Sequence, residues 1–190
     1  MKTRIPVSVF ALLAVSAVFL QADPKNSTPF SGKPAAIPGL IEAEHWDKGP
    51  AGVAYSDADE ENKGEDYREK TSVDIEKRSD ASNGHGIGWT RAEEWLVYTV
   101  EVTEPGTYTV EMPVASKKKG GTFRLEFDGK AITEKITIPD TGSWQKLEMI
   151  SCKTVPLKKG VYRMKVVMLE NGESTGIGDI DYFKFVKVDS

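Results

Sequence analysis

The sequence predicts an all-β protein, a β-sandwich jelly roll built from antiparallel sheets, and three observations support this fold class. From Trp95 onward, apolar and polar residues alternate with a period of two, as expected of strands that bury one face. No segment between these runs carries a helical pattern of about ten residues or more. Short turn signals separate the runs at 104–106, 128–129, 139–142, 158–160 and 171–172.

Four alternating runs define the predicted core. In each run every second residue is apolar and the intervening residues are mostly polar, so one face is expected to pack inside the sandwich. The predicted core residues are Leu96, Tyr98, Val100 and Val102 in the first run, Tyr108, Val110, Met112 and Val114 in the second, Phe123, Leu125 and Phe127 in the third, and Tyr162, Met164, Val166 and Met168 in the fourth.

Residues 1–22 have the organisation of an export signal. Lys2 and Arg4 supply positive charge, residues 7–20 form an almost unbroken apolar run, and Ala22 is a small residue suited to cleavage. A buried N-terminal helix is the alternative, but no polar face accompanies the apolar run. The run is also short for a bilayer span of about 20 residues. We therefore predict a signal peptide and a secreted protein, periplasmic or extracellular, without a membrane anchor.

The remaining chain is predicted to consist of a linker and one domain. Residues 23–38 are rich in Pro, Ser and Gly, which is typical of a linker. Residues 39–188 have the length of one domain and can bury a substantial core without disulfides. The only cysteine, Cys152, has apolar residues nearby and is expected to be a small buried side chain rather than a nucleophile.

The charge distribution argues against nucleic acid as a partner. The formal net charge is -4, and acidic and basic residues are interspersed along the chain. Nucleic-acid binding requires a basic face, and the sequence contains no pattern that would form one.

The sequence contains no recognisable catalytic constellation. Nucleophilic catalysis normally needs a histidine base, and His45 and His85 are isolated, without a Gly-x-Ser-x-Gly elbow or metal-ligand spacing. Glycoside hydrolysis needs two carboxyl groups across a cleft. Glu93 and Glu94 are adjacent, so in a strand they would point to opposite faces. We predict no catalytic residues, and a small glycan-active enzyme remains one alternative.

Two tryptophans lie on predicted turns. Trp89 ends the glycine-rich segment GHGIGW, and Trp144 ends PDTGSW, each shortly before a strand. A large aromatic side chain on a turn is costly to expose unless it meets a flat and partly apolar partner such as a sugar ring. Packing under the loops is the alternative. Trp46 and Trp95 lie beside or within strands and are expected to pack in the core or at its edge.

Two pairs of acidic residues have strand spacing. Glu42 and Glu44 share one face of a strand, and so do Asp179 and Asp181 near the C-terminus. Like charges on one face repel unless a cation or a basic side chain lies between them. If the first and last strands are neighbours, these acids can form an oxygen cage for calcium. Pairing with surface Lys or Arg is the alternative.

A third acidic region, residues 56–70, is highly charged and weakly periodic, and is predicted to be a long loop. Its aspartates suggest an EF-hand, but Asn62 and Arg68 occupy the positions at which that loop needs Gly and Glu. A solvated acidic loop and a looser role in calcium binding both remain open.

Taken in order, the segments IEAEHWDKGPAGVAYSDADEENKGEDYR, VDIE, GIGWTRAEEWLVYTVEV, GTYTVEMPVAS, GGTFRLEFDG and IPDTGSWQ resemble carbohydrate-binding module family 6. The resemblance covers residues 41–186. It implies a β-sandwich jelly roll of the galactose-binding-like type that has a structural calcium and no catalysis. Such modules usually accompany glycoside hydrolase domains and bind polysaccharide.

The resemblance also implies the binding residues. The family's two stacking aromatics correspond to Trp89 and Trp144, and its acid in the VDIE segment corresponds to Glu76. The last polar contact of the family is normally Asn, and Asp179 stands there in this chain. A further departure is the pair at 85–86, His-Gly, where an aromatic-Asn pair is usual. These departures affect the expected sugar preference more than the fold.

The resemblance assigns the structural Ca²⁺ to Glu42, Glu44 and Asp181. We thus expect a secreted, non-catalytic and monomeric module that binds polysaccharide or oligosaccharide, of the β-linked glucan, xylan or agar type. It is not expected to bind nucleic acid or membranes. A protein-contact or adhesion module built on the same sandwich is the other alternative.

Overall fold

The computed structural model describes residues 27–68 and 70–188. The predicted signal peptide, residues 1–22, lies outside these residues. All regular secondary structure in the described part is β, so nothing there forms a helix able to cross a bilayer. The strands are β1 Ala35–Ile37, β2 Gly39–Glu42, β3 Tyr55–Ser56, β4 Ile75–Lys77, β5 His85–Ile87, β6 Trp95–Val102, β7 Tyr108–Ala115, β8 Thr122–Phe127, β9 Lys130–Ala131, β10 Ile136–Thr137, β11 Glu148–Lys153, β12 Gly160–Glu170, β13 Asp179–Ile180 and β14 Tyr182–Lys187.

The strands form two sheets, which confirms the predicted β-sandwich. The first sheet has the order β1-β6-β12-β8-β10, with β3 beside β6 and β9 beside β8. The second has the order β2-β14-β7-β13-β5-β4, with β11 beside β7. The pairing is antiparallel except between β1 and β6, where Ala35 lies opposite Val100 in parallel register. As these strand orders show, strands that are consecutive in the sequence often lie in different sheets.

The four alternating runs are the long strands β6, β7, β8 and β12, and their apolar faces are buried as predicted. Every predicted core residue of β6, β7 and β8 is buried. In β12 the exception is Tyr162, which is partly buried and stacks on Phe127 with ring centroids 5.0 Å apart. Complete burial of one large apolar side chain contributes about 1.5–3 kcal/mol, so these faces dominate the stability of the sandwich.

The described part of the predicted linker packs on the sandwich. Ser27 Oγ donates a hydrogen bond to Asp47 Oδ2 at 2.7 Å, and the ring of Phe30 stacks on His45 at 4.0 Å between centroids. A few residues later, β1 extends the first sheet. The folded unit thus includes residues ahead of the predicted domain start at residue 39, because long-range contacts hold a Pro- and Gly-rich segment that has no pattern of its own.

One end of the second sheet gathers the elements on which the predicted binding residues lie. Strand β4 pairs with β5 and β5 pairs with β13, where Ile180 lies opposite Ile87. The loop between β10 and β11 reaches the same end. At the other edge, β2 pairs with β14, and Tyr182 lies opposite Glu42. The first and last strands of this sheet are therefore neighbours, which is the condition for an acidic cage.

Candidate functional site

The four residues predicted to bind sugar converge on one cleft. Glu76, Trp89, Trp144 and Asp179 line a cleft of about 320 Å³ together with Gln145. They come from β4, the turn after β5, the loop between β10 and β11, and the start of β13. Gln145 was not predicted, although its position directly after Trp144 is the signal that would have identified it.

Trp89 presents its indole to solvent on a constrained backbone. The side chain is 47 % exposed, and the residue has a φ of 49°, in the left-handed region that bulky residues rarely adopt. Hydrogen bonds on both sides hold this conformation. Gly88 N donates to Asp74 O at 3.1 Å, and Thr90 Oγ1 donates to Gly178 O at 2.6 Å. Strain that surrounding contacts maintain is typical of functional sites.

Trp144 lies on a loop that its own polar side chains anchor. Asp140 Oδ1 accepts a hydrogen bond from Gly142 N at 2.8 Å, which closes the turn. The backbone N of Thr141 donates to Ser116 O at 3.0 Å, which ties the loop to the end of β7. Trp144 itself is partly buried. These hydrogen bonds therefore fix the position of the loop that carries Trp144, which forms one wall of the cleft.

The floor of the cleft is a carboxylate network around a buried arginine. Arg78 Nη1 donates to Glu76 Oε2 at 2.6 Å and to Asp179 Oδ2 at 2.9 Å. Gln145 Nε2 donates to the second oxygen of Glu76, Oε1, at 2.9 Å. Arg78 was also not predicted, because no local sequence pattern distinguishes it from a solvated basic residue.

Burial makes Asp179 an unusual acid. The pKa of its carboxyl is raised to about 7, first because it is buried and second because the carboxylate of Glu76 is close. The guanidinium of Arg78 opposes this rise. Near the cleft, a Cβ at Gly88 would lie 3.2 Å from Asp179 Oδ1, a tight contact that would push the carboxyl away by a few tenths of an ångström. The glycine therefore allows the carboxyl to sit against the turn that carries Trp89.

The two cleft carboxylates do not have the arrangement of a glycosidase pair. A glycosidase places its carboxyl groups on opposite sides of the scissile bond. Glu76 and Asp179 instead accept hydrogen bonds from the same nitrogen atom, Arg78 Nη1, so both lie on one side. Such an arrangement can accept hydrogen bonds from a ligand that lies on that side.

The residues predicted to hold calcium lie around one short segment, Ser82 and Asn83. Ser82 Oγ lies 2.7 Å from Glu42 Oε2 and 3.0 Å from Asp181 Oδ1. Asn83 Nδ2 donates a hydrogen bond to Glu44 Oε1. The other oxygen of that carboxyl, Glu44 Oε2, is buried without a hydrogen-bond partner. A buried carboxylate oxygen without a partner is costly, and a cation is one group that would satisfy it.

The electrostatics of this acid cluster favour a cation as well. Burial raises the pKa of Glu42 and Asp181, and it raises the pKa of Glu44 to about 7, with repulsion from the other two acids adding to the effect. No Lys or Arg forms an ion pair with these three acids in the described residues. Within 27–68 and 70–188, no three acidic, His or Cys side chains converge closely enough to hold a metal as they stand. The fit of calcium therefore rests on the unpartnered oxygen and on the donor chemistry.

The other singled-out residues lie outside both sites. Trp46 is fully buried, and Trp95 is partly buried beneath Lys165, whose Nζ lies 3.9 Å from the ring centroid, so both pack as expected. Glu94 is buried and accepts a hydrogen bond from the backbone N of Arg91 at 2.9 Å, whereas Glu93 is exposed. The two adjacent glutamates thus occupy different environments, although both lie in the turn segment ahead of β6 rather than in a strand.

The family comparison agrees with this fold. The sequence model of the carbohydrate binding module (family 6) matches residues 63–187. The chain therefore belongs to carbohydrate-binding module family 6. This confirms the resemblance seen in the sequence, and the protein is a carbohydrate-binding module by family.

Individual relatives match parts of larger proteins. The chain is 30 % identical over 104 residues to the clotting factor G alpha subunit of Tachypleus tridentatus, covering 54 % of this chain and 15 % of that protein. It is 28 % identical over 109 residues to the β-agarase AgaA of Microbulbifer thermotolerans, covering 56 % of this chain and 24 % of the agarase. The chain therefore spans less than a quarter of the length of either relative.

A solved structure supports the fold. A β-1,3-glucan-binding family 6 module from Bacillus halodurans superposes with a TM-score of 0.61 and 22 % identity, over 80 % of this chain and 98 % of that one. At this identity the likeness shows the sandwich alone.

Proposed function

We propose that this module binds neutral polysaccharide by holding a sugar ring between Trp89 and Trp144. The observation that carries the proposal is the convergence of two tryptophans and two carboxylates on one cleft. The faces of a pyranose carry C–H groups that pack on indole rings, and its equatorial hydroxyl groups point outward. One side of the ring thus meets aromatic surface while its edge meets polar side chains, as in other small-molecule sites.

The carboxylates would fix the orientation of the sugar. Glu76 and Asp179 are hydrogen-bond acceptors at the floor, and sugar hydroxyl groups are donors. A hydrogen bond to a charged acceptor is stronger than one between neutral groups. An acidic sugar would bring a further negative charge close to these two acids and would be repelled by them, so we propose that neutral glycans are preferred.

The cleft is small and open, which limits the affinity. A dissociation constant of roughly 10 µM to 1 mM is expected for one such site, because the buried area is small and the sugar loses rotational freedom on binding. A cleft of about 320 Å³ accommodates one or two sugar units of a longer chain. Names of relatives point to β-1,3-glucan and to agar as polysaccharides for the first tests.

We further propose that the module does not itself catalyse glycan cleavage. Glu76 and Asp179 share one nitrogen partner on one side of the cleft, and that arrangement supports binding rather than hydrolysis. The catalytic step would then belong to a separate domain or protein. Secretion of the chain as a monomer, directed by residues 1–22, completes the proposed physiological setting.

A structural Ca²⁺ at Glu42, Glu44 and Asp181 is part of the proposal. Carboxylate oxygens are the ligands that calcium prefers, and the unpartnered Glu44 Oε2 supports a cation there. When bound, the ion would offset two of the three negative charges that these acids carry when ionised, and so reduce their mutual repulsion. The three side chains would hold the ends of β2 and of the segment after β13 together.

Glycan binding tests the proposal directly. Residues 23–190 should be retarded in affinity electrophoresis through laminarin, xylan or agarose, and Trp89→Ala and Trp144→Ala should each weaken binding at least about tenfold. The matched control is Met149→Ala, which removes a side chain that is 54 % exposed on another surface. Folded, calcium-loaded protein that binds no glycan would contradict the proposal and would favour a protein-contact module.

A further inference from the structure

Arg78 is the most heavily paired charged residue near the cleft. Its side chain is 1 % exposed, and its guanidinium forms ion pairs with Glu76, Asp80 and Asp179. These acids come from β4, from the segment after β4, and from the start of β13. A buried guanidinium with three carboxylate partners connects parts of the chain that are remote in sequence, since Arg78 and Asp179 are 101 residues apart.

The geometry uses the shape of the guanidinium. Nε and Nη2 donate to the two oxygens of Asp80, each at 3.0 Å, which is the bidentate arrangement specific to arginine. The remaining nitrogen, Nη1, is shared between Glu76 and Asp179 on the cleft floor. A lysine has one nitrogen and cannot reproduce this division of partners.

Asp80 extends the network to the wall that carries Trp144. Its Oδ2 accepts a hydrogen bond from the backbone N of Leu147 at 3.1 Å, three residues beyond that tryptophan. Arg78 therefore touches the floor of the cleft directly and one wall through a single intermediate residue.

Gly86 leaves room for the arginine. A Cβ at this position would lie 3.4 Å from Arg78 Cδ and 3.1 Å from Ile180 O. Gly86 thus lets the backbone of β5 lie close to Ile180 O of β13, with the stem of Arg78 packed beside it.

We propose that Arg78 is the positioning residue of the saccharide cleft and that it works as a unit with Asp179. The inference rests on the proposed function of the cleft. Two ionised acids at the floor repel each other, and the shared guanidinium nitrogen holds Glu76 Oε2 and Asp179 Oδ2 in place while Gln145 Nε2 holds the other oxygen of Glu76. A carboxylate oxygen has more than one lone pair, so the fixed acids can still accept hydrogen bonds from a ligand. Because the guanidinium is buried, it offers its charge to the acids and not to the sugar.

A double-variant series tests this proposal by calorimetric titration with a laminarin or xylan oligosaccharide. Arg78→Gln is expected to weaken binding about tenfold or more, because it leaves Glu76 and Asp179 without their shared partner. Asp179→Asn is expected to weaken binding less. In the protein with both substitutions the loss is expected to be clearly smaller than the product of the two single losses, because after Asp179→Asn the arginine positions only Glu76 on the floor.

Two further variants separate positioning from general stability. Arg78→Lys keeps the positive charge but loses the bidentate arrangement of the guanidinium. Its affinity for the oligosaccharide is therefore expected to lie between those of the unsubstituted protein and Arg78→Gln. Arg124→Gln removes another arginine with a carboxylate partner, Glu126, on the first sheet and should leave binding unchanged. Titrations are run well below the melting temperature of each variant. If Arg78→Gln does not fold, two comparisons answer the same question. The first compares Arg78→Lys with the unsubstituted protein, and the second compares the double variant with Asp179→Asn.

The outcomes distinguish this inference from the proposed function. If the unsubstituted protein binds glycan through Trp89 and Arg78→Gln or Arg78→Lys binds equally well, the inference is overturned and the proposed function stands. If the losses from Arg78→Gln and Asp179→Asn simply multiply, the two residues do not act as a unit and the inference is again overturned. If the unsubstituted protein binds no glycan, both are overturned.

Discussion

At the scale of single residues, Trp89 shows how the cleft uses backbone strain. A left-handed backbone costs a residue with a side chain roughly 1–2 kcal/mol, and an exposed indole gains little from packing. The chain nevertheless keeps a tryptophan at a φ of 49°, between hydrogen bonds from Gly88 and Thr90. The neighbouring residues fix the backbone, so the direction of the indole is set before any ligand arrives.

Comparing Trp89→Gly with Trp89→Ala measures this strain. Both variants are expected to lose glycan binding, but glycine accepts the left-handed backbone and alanine does not. The difference of about 1 kcal/mol should give Trp89→Gly a melting temperature about 2–4 °C higher than Trp89→Ala. Equal melting temperatures in a thermal scan would show that the backbone relaxes once the indole is removed.

At the scale of elements, the loop 57–74 shows how side chains replace a hydrogen-bond ladder. No strand or helix occurs among its described residues. Arg68 holds the loop to the segment after β2, where Nη1 donates to the carbonyls of Glu44 and Trp46, at 3.0 and 2.7 Å. A hydrogen bond from a charged donor to a backbone carbonyl contributes more to stability than one from a neutral donor. These bonds therefore help to hold a loop that has no strand hydrogen bonds of its own.

The same loop contains an acid whose ionisation destabilises the fold. Burial raises the pKa of Asp57 to about 6, and repulsion from Asp74 and Asp59 adds to the rise. Because the folded-state pKa lies above the ordinary value, the penalty is absent below pH about 4 and complete above pH about 6. Asp57 Oδ1 accepts a hydrogen bond from Asp59 N at 2.8 Å, which an asparagine can also accept.

Asp57→Asn is therefore expected to stabilise the protein at pH 8. A gain on the order of 1 kcal/mol corresponds to a melting temperature about 2–4 °C higher, after allowing for solvent screening of this partly exposed group. The gain should shrink at pH 5, where the original carboxyl is largely protonated. A gain that is the same at both pH values would contradict an electrostatic origin.

At the scale of the whole molecule, one acid cluster joins the beginning and the end of the sandwich. Strand β2 ends at Glu42, opposite the first residue of β14, and Asp181 immediately precedes β14. Ser82 contacts both acids from a segment between β4 and β5. A cation bound there would link three parts of the chain that are far apart in sequence, so it would resist global unfolding.

Calcium should accordingly raise the melting temperature. A ligand that binds only the folded state at about 100 times its dissociation constant adds about 2.7 kcal/mol, which corresponds to about 5–10 °C here. Glu44→Gln should melt higher than the unsubstituted protein when both are metal-free, because it removes one of the repelling charges, and it should gain less from calcium. Identical melting curves with and without calcium, after verified metal removal, would contradict the proposed site.

Fold class was predictable from local patterns, and the site only in part. The alternation in β6, β7, β8 and β12 follows from the geometry of a strand that has one buried face, so each segment carries its own signal. The turn positions of Trp89 and Trp144 were likewise local. The strand face predicted for Glu42 and Glu44 was wrong, because β2 ends at Glu42 and Glu44 lies in the turn that follows. Strand order was not, because the pairing of β13 with β5 and β7 joins distant segments.

By itself, the sequence determined the four long strands β6, β7, β8 and β12, which face of each enters the core, and which aromatic and acidic residues are unusual for their positions. The tertiary structure alone decided that Arg78 lies beneath the cleft, that Gln145 lines it, and that residues 27–37 join the sandwich. The physical reason is the separation along the chain over which each interaction acts. Alternation and turn chemistry act between near neighbours along the chain, whereas a buried guanidinium and an added edge strand depend on partners brought together only when the sheets pack.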